Sequence, residues 1–340
     1  MKAVIYRAPE KFEVTEIPKP EVGQGDVLIR VKACGICKTD VHIHRGKFIA
    51  TFPLTPGHEF AGEVAQVGEG VIDFKPGDRV TADNAYPCGN CYYCRQNKPL
   101  YCENFYSLGC NAPGGFADYV LVRSEKVFKI SENLSFEEAA FTEPTACVVH
   151  SMDVAKIEPG SRVLVLGAGP AGLILSQVVK RCGAGELVVA APTESKLNIA
   201  RELGADRVVR IQRSDLIANR EELLGHDKYG FDVVFDATGS ARVTEQCPEL
   251  LKFGGKLIVF GVPGEEERIS ISPYDIYRRE IKIIGSFAQV NCFPRALSFL
   301  ESGSISVKGL ITCEFPLDEF AEALNVLMFE REALKVIIKP

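Results

Sequence analysis

The stretch CGNCYYCRQNKPLYC brings Cys88, Cys91, Cys94 and Cys102 within fifteen residues. Spaced as C-x2-C-x2-C-x7-C, four thiolates can converge tetrahedrally on one Zn²⁺ with little backbone strain. Closely spaced cysteines also hold iron–sulfur centres, and unrelated free thiols are the third reading. A four-sulfur zinc site has no open coordination position, so it would fasten a loop and leave catalysis to other residues. A nucleic-acid-binding ribbon would surround such a metal with basic surface, and here only Arg95 and Lys98 lie nearby.

A second set of ligand types stands upstream. CGICKTDVHIH (34–44) and PGHEFAGE (56–63) offer Cys37, His58 and Glu59, and TEPTACVVH (142–150) adds Glu143 in an apolar neighbourhood. Mixed sulfur, nitrogen and oxygen donors with an open position make the catalytic type of zinc site. An unpaired buried carboxylate is costly, which favours a cation beside Glu143. A helix-capping role for Glu143 and a surface role for His58 are the alternatives.

The third constellation is SRVLVLGAGPAG (161–172), a short apolar strand followed by Gly167, Gly169, Pro170, Ala171 and Gly172, then the apolar run of a buried helix. A G-x-G-x-x-G in that context marks a dinucleotide site: the glycines permit the tight turn, the approach of the pyrophosphate and the packing of helix on strand. An acidic residue is expected at the end of the next strand to bond the ribose 2′-hydroxyl, but VVAAPTESK places Ala190 and Ala191 there. Removing the carboxylate removes repulsion toward a 2′-phosphate, to which Thr193, Ser195 and Lys196 could donate. NADP acceptance, alone or beside NAD, is the expectation, with ordinary NAD preference as its alternative.

These groups need elements to carry them. After residue 146, strands 186–190, 207–211, 231–239, 255–261 and 281–285 alternate with helices 194–204, about 214–224 and near 241–252, which predicts a doubly wound parallel sheet. Before 146 the chain is β-rich with Gly/Pro punctuation and no sustained helical pattern, as in a barrel-like domain. After 285, two helices and the closing strand LKVIIKP follow. The division expected is 1–146 with 285–340 for the barrel-like part and 147–284 for the Rossmann part. At 340 residues two cores are the natural arrangement.

With 46% hydrophobic and 25% charged residues, the composition is that of a globular protein, and the net charge of −6 argues against nucleic acid or an anionic membrane as partner. Nothing in the sequence resembles a signal peptide or an apolar span, so a cytoplasmic location is expected, with the twelve cysteines as thiols or metal ligands.

Together GHEFAGEV, the four-cysteine stretch, GGFADYV, EPTACVVH, GAGPAG and FDATG resemble the zinc-containing medium-chain dehydrogenase/reductase family, and within it the sorbitol, threonine and polyol dehydrogenase branch. The resemblance implies a partly open β-barrel catalytic domain plus a doubly wound parallel-sheet Rossmann domain, with substrate in the cleft and a homodimer or homotetramer assembled through the cofactor domain. It implies Zn²⁺ at both a catalytic and a structural site, and NAD or NADP as hydride acceptor. Cys37, His58, Glu59 and Glu143 match catalytic zinc ligands, and Cys88, Cys91, Cys94 and Cys102 match the structural zinc. Thr39 matches the proton-relay hydroxyl, Asp40 a partner behind the ligands, His42 a position near the cofactor ribose, and Thr238 of FDATG a cofactor position. Phe287, Ala288 and Gln289 fall where the branch contacts substrate; Ala288 and Gln289 stand where the sorbitol group has arginine and tyrosine. The implied reaction is oxidation of a secondary hydroxyl of a small-molecule polyol, such as D-arabinitol, with L-threonine as the alternative substrate.

Overall fold

The computed structural model describes residues 1–212 and 214–340. The chain divides into two compact units, 1–146 with 289–340, and 147–288. The second unit thus ends four residues beyond the 284 read from the sequence.

The first unit is built on a seven-stranded sheet around Asp26–Ile36. One edge of that strand pairs antiparallel with Glu59–Val67 along its length, while the other is shared, Tyr119–Arg123 taking Asp26–Arg30 and Lys335–Lys339 taking Cys34–Ile36. A strand whose partners change midway bends the sheet around a single apolar interior, lined by Val27, Ile29, Val31, Phe60, Phe116, Phe320 and Ile338. The two ends of the chain are therefore joined in one core. Two elements there were not legible from the pattern: the helix Lys38–His44, only seven residues long, and the strand Ile311–Pro316, which pairs parallel with the closing strand.

The second unit carries six parallel strands in the spatial order Arg207–Arg210, Glu186–Ala191, Arg162–Leu166, Phe231–Asp236, Leu251–Val259, Lys282–Gly285. Counted along the chain this is 3-2-1-4-5-6, the dinucleotide-binding winding, whose direction reverses between Arg162–Leu166 and Phe231–Asp236. The inner strands Glu186–Ala191, Arg162–Leu166 and Phe231–Asp236 are almost wholly buried and rich in Val, Leu and Ile, as expected where both faces of a parallel sheet are covered. The helix expected near 241–252 stops at Gln246; Pro248 cannot continue it, a 3₁₀ turn Cys247–Leu250 follows, and the next strand starts at Leu251. The helix Pro273–Arg279, capped by Ser272 on Asp275 N–H, was also unread. Among the described residues no helix is long and apolar enough to cross a membrane.

Candidate active site and metal centres

In the four-cysteine loop, the sulfurs of Cys88, Cys91, Cys94 and Cys102 all lie within 4.8 Å of one another, with Cys91 and Cys102 at 3.9 Å. A tetrahedron with Zn–S of about 2.3 Å needs S···S separations of about 3.8 Å. The backbone is already aimed at thiolates: Cys88 and Asn104 N–H donate to Cys102 Sγ at 3.2 and 3.3 Å. The amide of Asn90, aided by Cys102, Cys91 and Asn104, pulls the Cys88 thiol down to about 6. None of the twelve cysteines is in a disulfide. The donor set and its spacing fit zinc.

The second group is Cys37, His58 and Glu59, whose ligand atoms also lie within 4.8 Å of one another. Cys37 caps the helix Lys38–His44, and its N–H donates to Asp40 Oδ2 at 2.8 Å. Asp40 Oδ1 faces His58 Nδ1 at 3.6 Å, leaving Nε2 as the ring nitrogen for a metal. His58 follows Gly57 and immediately precedes the strand Glu59–Val67, which Glu59 opens; the two are 4% and 1% exposed. Glu59 Oε2 is bonded to Lys335, whereas Glu59 Oε1 is buried with no hydrogen-bond partner. A buried, unpartnered carboxylate oxygen beside a thiol and an imidazole fits a metal ion there.

Lys335 is the residue that sequence reasoning missed. It sits on the closing strand, 3% exposed, and reaches Glu59 and the carbonyl of Ile36. Burial works against its charge, but Glu59, with Cys37 and Glu143 behind it, outweighs this and holds the ammonium above its ordinary pKa. A lysine immediately before the apolar run Val336–Ile338 was the available signal, since a cation buried there must find an anion. Gly35 makes room for the pair: a Cβ there would lie 2.2 Å from Glu59 Oε2.

The remaining expected residues fall as follows. Thr39 Oγ1 is 3.7 Å from Cys37 Sγ, and His42 is half-buried one turn further along the same helix. Glu143 stands half-buried in the first turn of Thr142–Ala155, outside the group formed by Cys37, His58 and Glu59. Gln289 does not fit its expected substrate role: it is 1% exposed, its amide donates to Asp83 at 2.6 Å and its carbonyl accepts from Cys292 N–H, so its polar atoms are committed inside the first unit. Ala288 takes a left-handed φ of 44°, and Phe287 is exposed.

In the second unit, Gly167 follows the strand Arg162–Leu166 at φ 110°, a value that favours glycine, and Gly169 caps the helix Pro170–Arg181 with Pro170 in its first turn and Ala171 next. A Cβ on Gly172 would lie 2.0 Å from the Gly167 carbonyl, so helix and strand pack only with glycine there; around Gly169 nothing lies within 4 Å, which leaves that face open. Ala191 ends its strand, Thr193 is the cap residue of the helix Glu194–Glu202, and Ser195 and Lys196 stand in its first turn. Thr238 is committed to its own turn: its hydroxyl donates to Asp236 Oδ1 at 2.6 Å and accepts from Ser240 N–H at 3.1 Å. It fixes the turn beside Gly167, since Asp236 pairs in register with Leu166.

Comparison with known proteins agrees with this geometry. The alcohol dehydrogenase GroES-like domain model matches residues 23–132, and the zinc-binding dehydrogenase model matches residues 170–302. D-arabinitol dehydrogenase 1 of Uromyces fabae is 41% identical over 341 residues, spanning 100% of this chain and 97% of that protein. The chain belongs to the zinc-binding dehydrogenase family. Sorbitol dehydrogenase of Bacillus subtilis (strain 168) is 32% identical over 100% of the chain and 97% of its own length. A zinc-binding dehydrogenase from Sinorhizobium meliloti 1021, solved bound to NADP, superposes with a TM-score of 0.94 at 35% identity, covering 100% of this chain and 99% of that one. This zinc-binding dehydrogenase is accordingly a zinc-dependent polyol or alcohol dehydrogenase that uses NAD(P) and acts on a small molecule.

Proposed function

We propose that the enzyme oxidises a secondary hydroxyl of a pentitol, D-arabinitol first, to the corresponding ketose. The observation that carries this is the full-length similarity to D-arabinitol dehydrogenase 1 of Uromyces fabae, together with the mixed-donor trio Cys37, His58 and Glu59, the type of site such chemistry uses.

Bound zinc supplies Lewis acidity toward the substrate hydroxyl, and bound NAD(P) supplies the hydride acceptor. Cys37, His58 and Glu59 would hold the catalytic ion, with Glu143 in the first turn of its helix as the further oxygen donor; the four cysteines of the loop would hold the other. Thr39 Oγ1 takes the hydroxyl proton, and His42, three residues on and so on the same helix face, passes it toward solvent. Asp40 fixes the Cys37 backbone and the His58 ring, keeping both ligands oriented. Of the 287–289 segment expected to contact substrate, Phe287 is the member whose side chain is exposed.

The enzyme is proposed to work as a homodimer or larger homo-oligomer. Lys282–Gly285 is an edge strand with Ile283 exposed, and Tyr274 and Tyr277 on the preceding helix are 70% and 80% exposed, a combination that invites pairing with another copy. Light scattering on Ile283→Lys should show a smaller species than the parent; identical masses would remove this edge from the interface.

The substrate test is the initial rate of NAD and NADP reduction with D-arabinitol, xylitol, ribitol, sorbitol, mannitol, L-threonine and simple alcohols. Highest kcat/KM on a pentitol is expected. Turnover confined to L-threonine or small alcohols would keep the zinc chemistry and overturn the pentitol assignment.

A further inference from the structure

We propose that Arg210 is a specificity-determining residue that binds the adenosine 2′-phosphate of NADP. The proposal rests on the second unit being the NAD(P) site and adds a residue from a third strand to it.

The ribose 2′ position of a bound dinucleotide lies at the end of the second strand of this winding, where an acidic side chain selects NAD. Here that strand ends in buried Ala190 and Ala191. Sheet register sets Ala191 directly beside Arg210, the last residue of the neighbouring parallel strand, and Ile211 N–H donates to the Ala191 carbonyl at 3.1 Å. Adjacent strands run about 4.8 Å apart, so a guanidinium rooted at Arg210 starts one strand spacing from the position that the missing carboxylate would hold.

The charges around it are consistent with that task. Arg207, on the same strand, is spent on Glu186 at 3.3 Å and on the carbonyls of Glu222 and Leu223. Arg210 is exposed, and among the described residues no carboxylate pairs with it. The nearby acids are engaged elsewhere: Glu194 pairs with Arg201 at 3.3 Å, and Asp215 accepts from Ala218 N–H at 3.0 Å. Thr193, at the cap of the nine-residue helix Glu194–Glu202, makes no side-chain capping bond, so its hydroxyl is not consumed by the helix. An exposed planar guanidinium at the end of one strand, and an uncommitted hydroxyl two residues past the end of its neighbour, suit recognition of a phosphate dianion.

The test is calorimetric binding of 2′,5′-ADP and of 5′-AMP to the parent enzyme, Arg210→Gln and Arg210→Lys, alongside NADH titration by fluorescence. The parent should bind 2′,5′-ADP at least about tenfold more tightly than 5′-AMP. Arg210→Gln should lose about tenfold to hundredfold for 2′,5′-ADP only, the span expected of one charge-assisted hydrogen-bonding group. Arg210→Lys should fall between. A parent ratio near one, or equal losses for both nucleotides, would overturn the proposal while NADH binding persists. Absence of NADH binding as well would overturn the cofactor-site reading on which it stands.

Discussion

At the scale of single residues, the metal ligands were legible because their signal is local. Two C-x-x-C steps and a Gly-His-Glu triplet carry their meaning in a few positions, whatever the rest of the chain does. Lys335 was not, since it meets Glu59 across 276 residues of sequence and only the folded sheet brings them together. Gln289 was misplaced for the converse reason: a polar residue in a segment expected to touch substrate can turn inward, as this one does toward Asp83. The Glu59–Lys335 pair also makes a prediction. Removing one partner of a buried ion pair leaves the other charge uncompensated, at about 3–5 kcal/mol. In zinc-stripped protein, urea unfolding of Lys335→Met should show a loss of that size, partly recovered by adding Glu59→Gln. Unchanged stability in the single variant would show that the ammonium does not balance this carboxylate.

Elements were read well where a period repeated and poorly where they were short. The parallel strands announce themselves as apolar runs between turn signals, and their parallel direction follows from the alternation with helices. The helix Lys38–His44 has too few residues to show a period, yet it carries Thr39, Asp40 and His42. The glycine fingerprint illustrates what structure adds to a motif, because its glycines serve different ends. A methyl at Gly172 would strike the Gly167 carbonyl, so Gly172→Ala should destabilise the unit by about 1–3 kcal/mol, as overpacking does. Gly169→Ala meets no neighbour within 4 Å and keeps an ordinary φ of −78°, so unfolding should be unchanged while NADH binding weakens by at least about tenfold, the methyl standing where the pyrophosphate approaches. Full NADH affinity in Gly169→Ala would contradict that assignment.

At the scale of the whole molecule, the chain keeps its two kinds of chemistry in separate units. The unit made from both ends of the sequence holds both cysteine-containing groups, and the unit between them holds the dinucleotide fingerprint. A fingerprint and a metal site do not by themselves name a substrate, because one fold hosts many functions and specificity lies in the side chains around the site. The zinc assignment is the part on which the catalytic account depends. Its most direct test is zinc content per chain measured together with D-arabinitol-dependent reduction of NAD and NADP, in the parent enzyme and in Cys37→Ser. The parent should hold about two zinc ions per chain and turn over, and Cys37→Ser should lose about one ion and its turnover while its thermal unfolding stays close to the parent's. Undiminished turnover by Cys37→Ser at one zinc per chain would contradict catalysis at the Cys37–His58–Glu59 site.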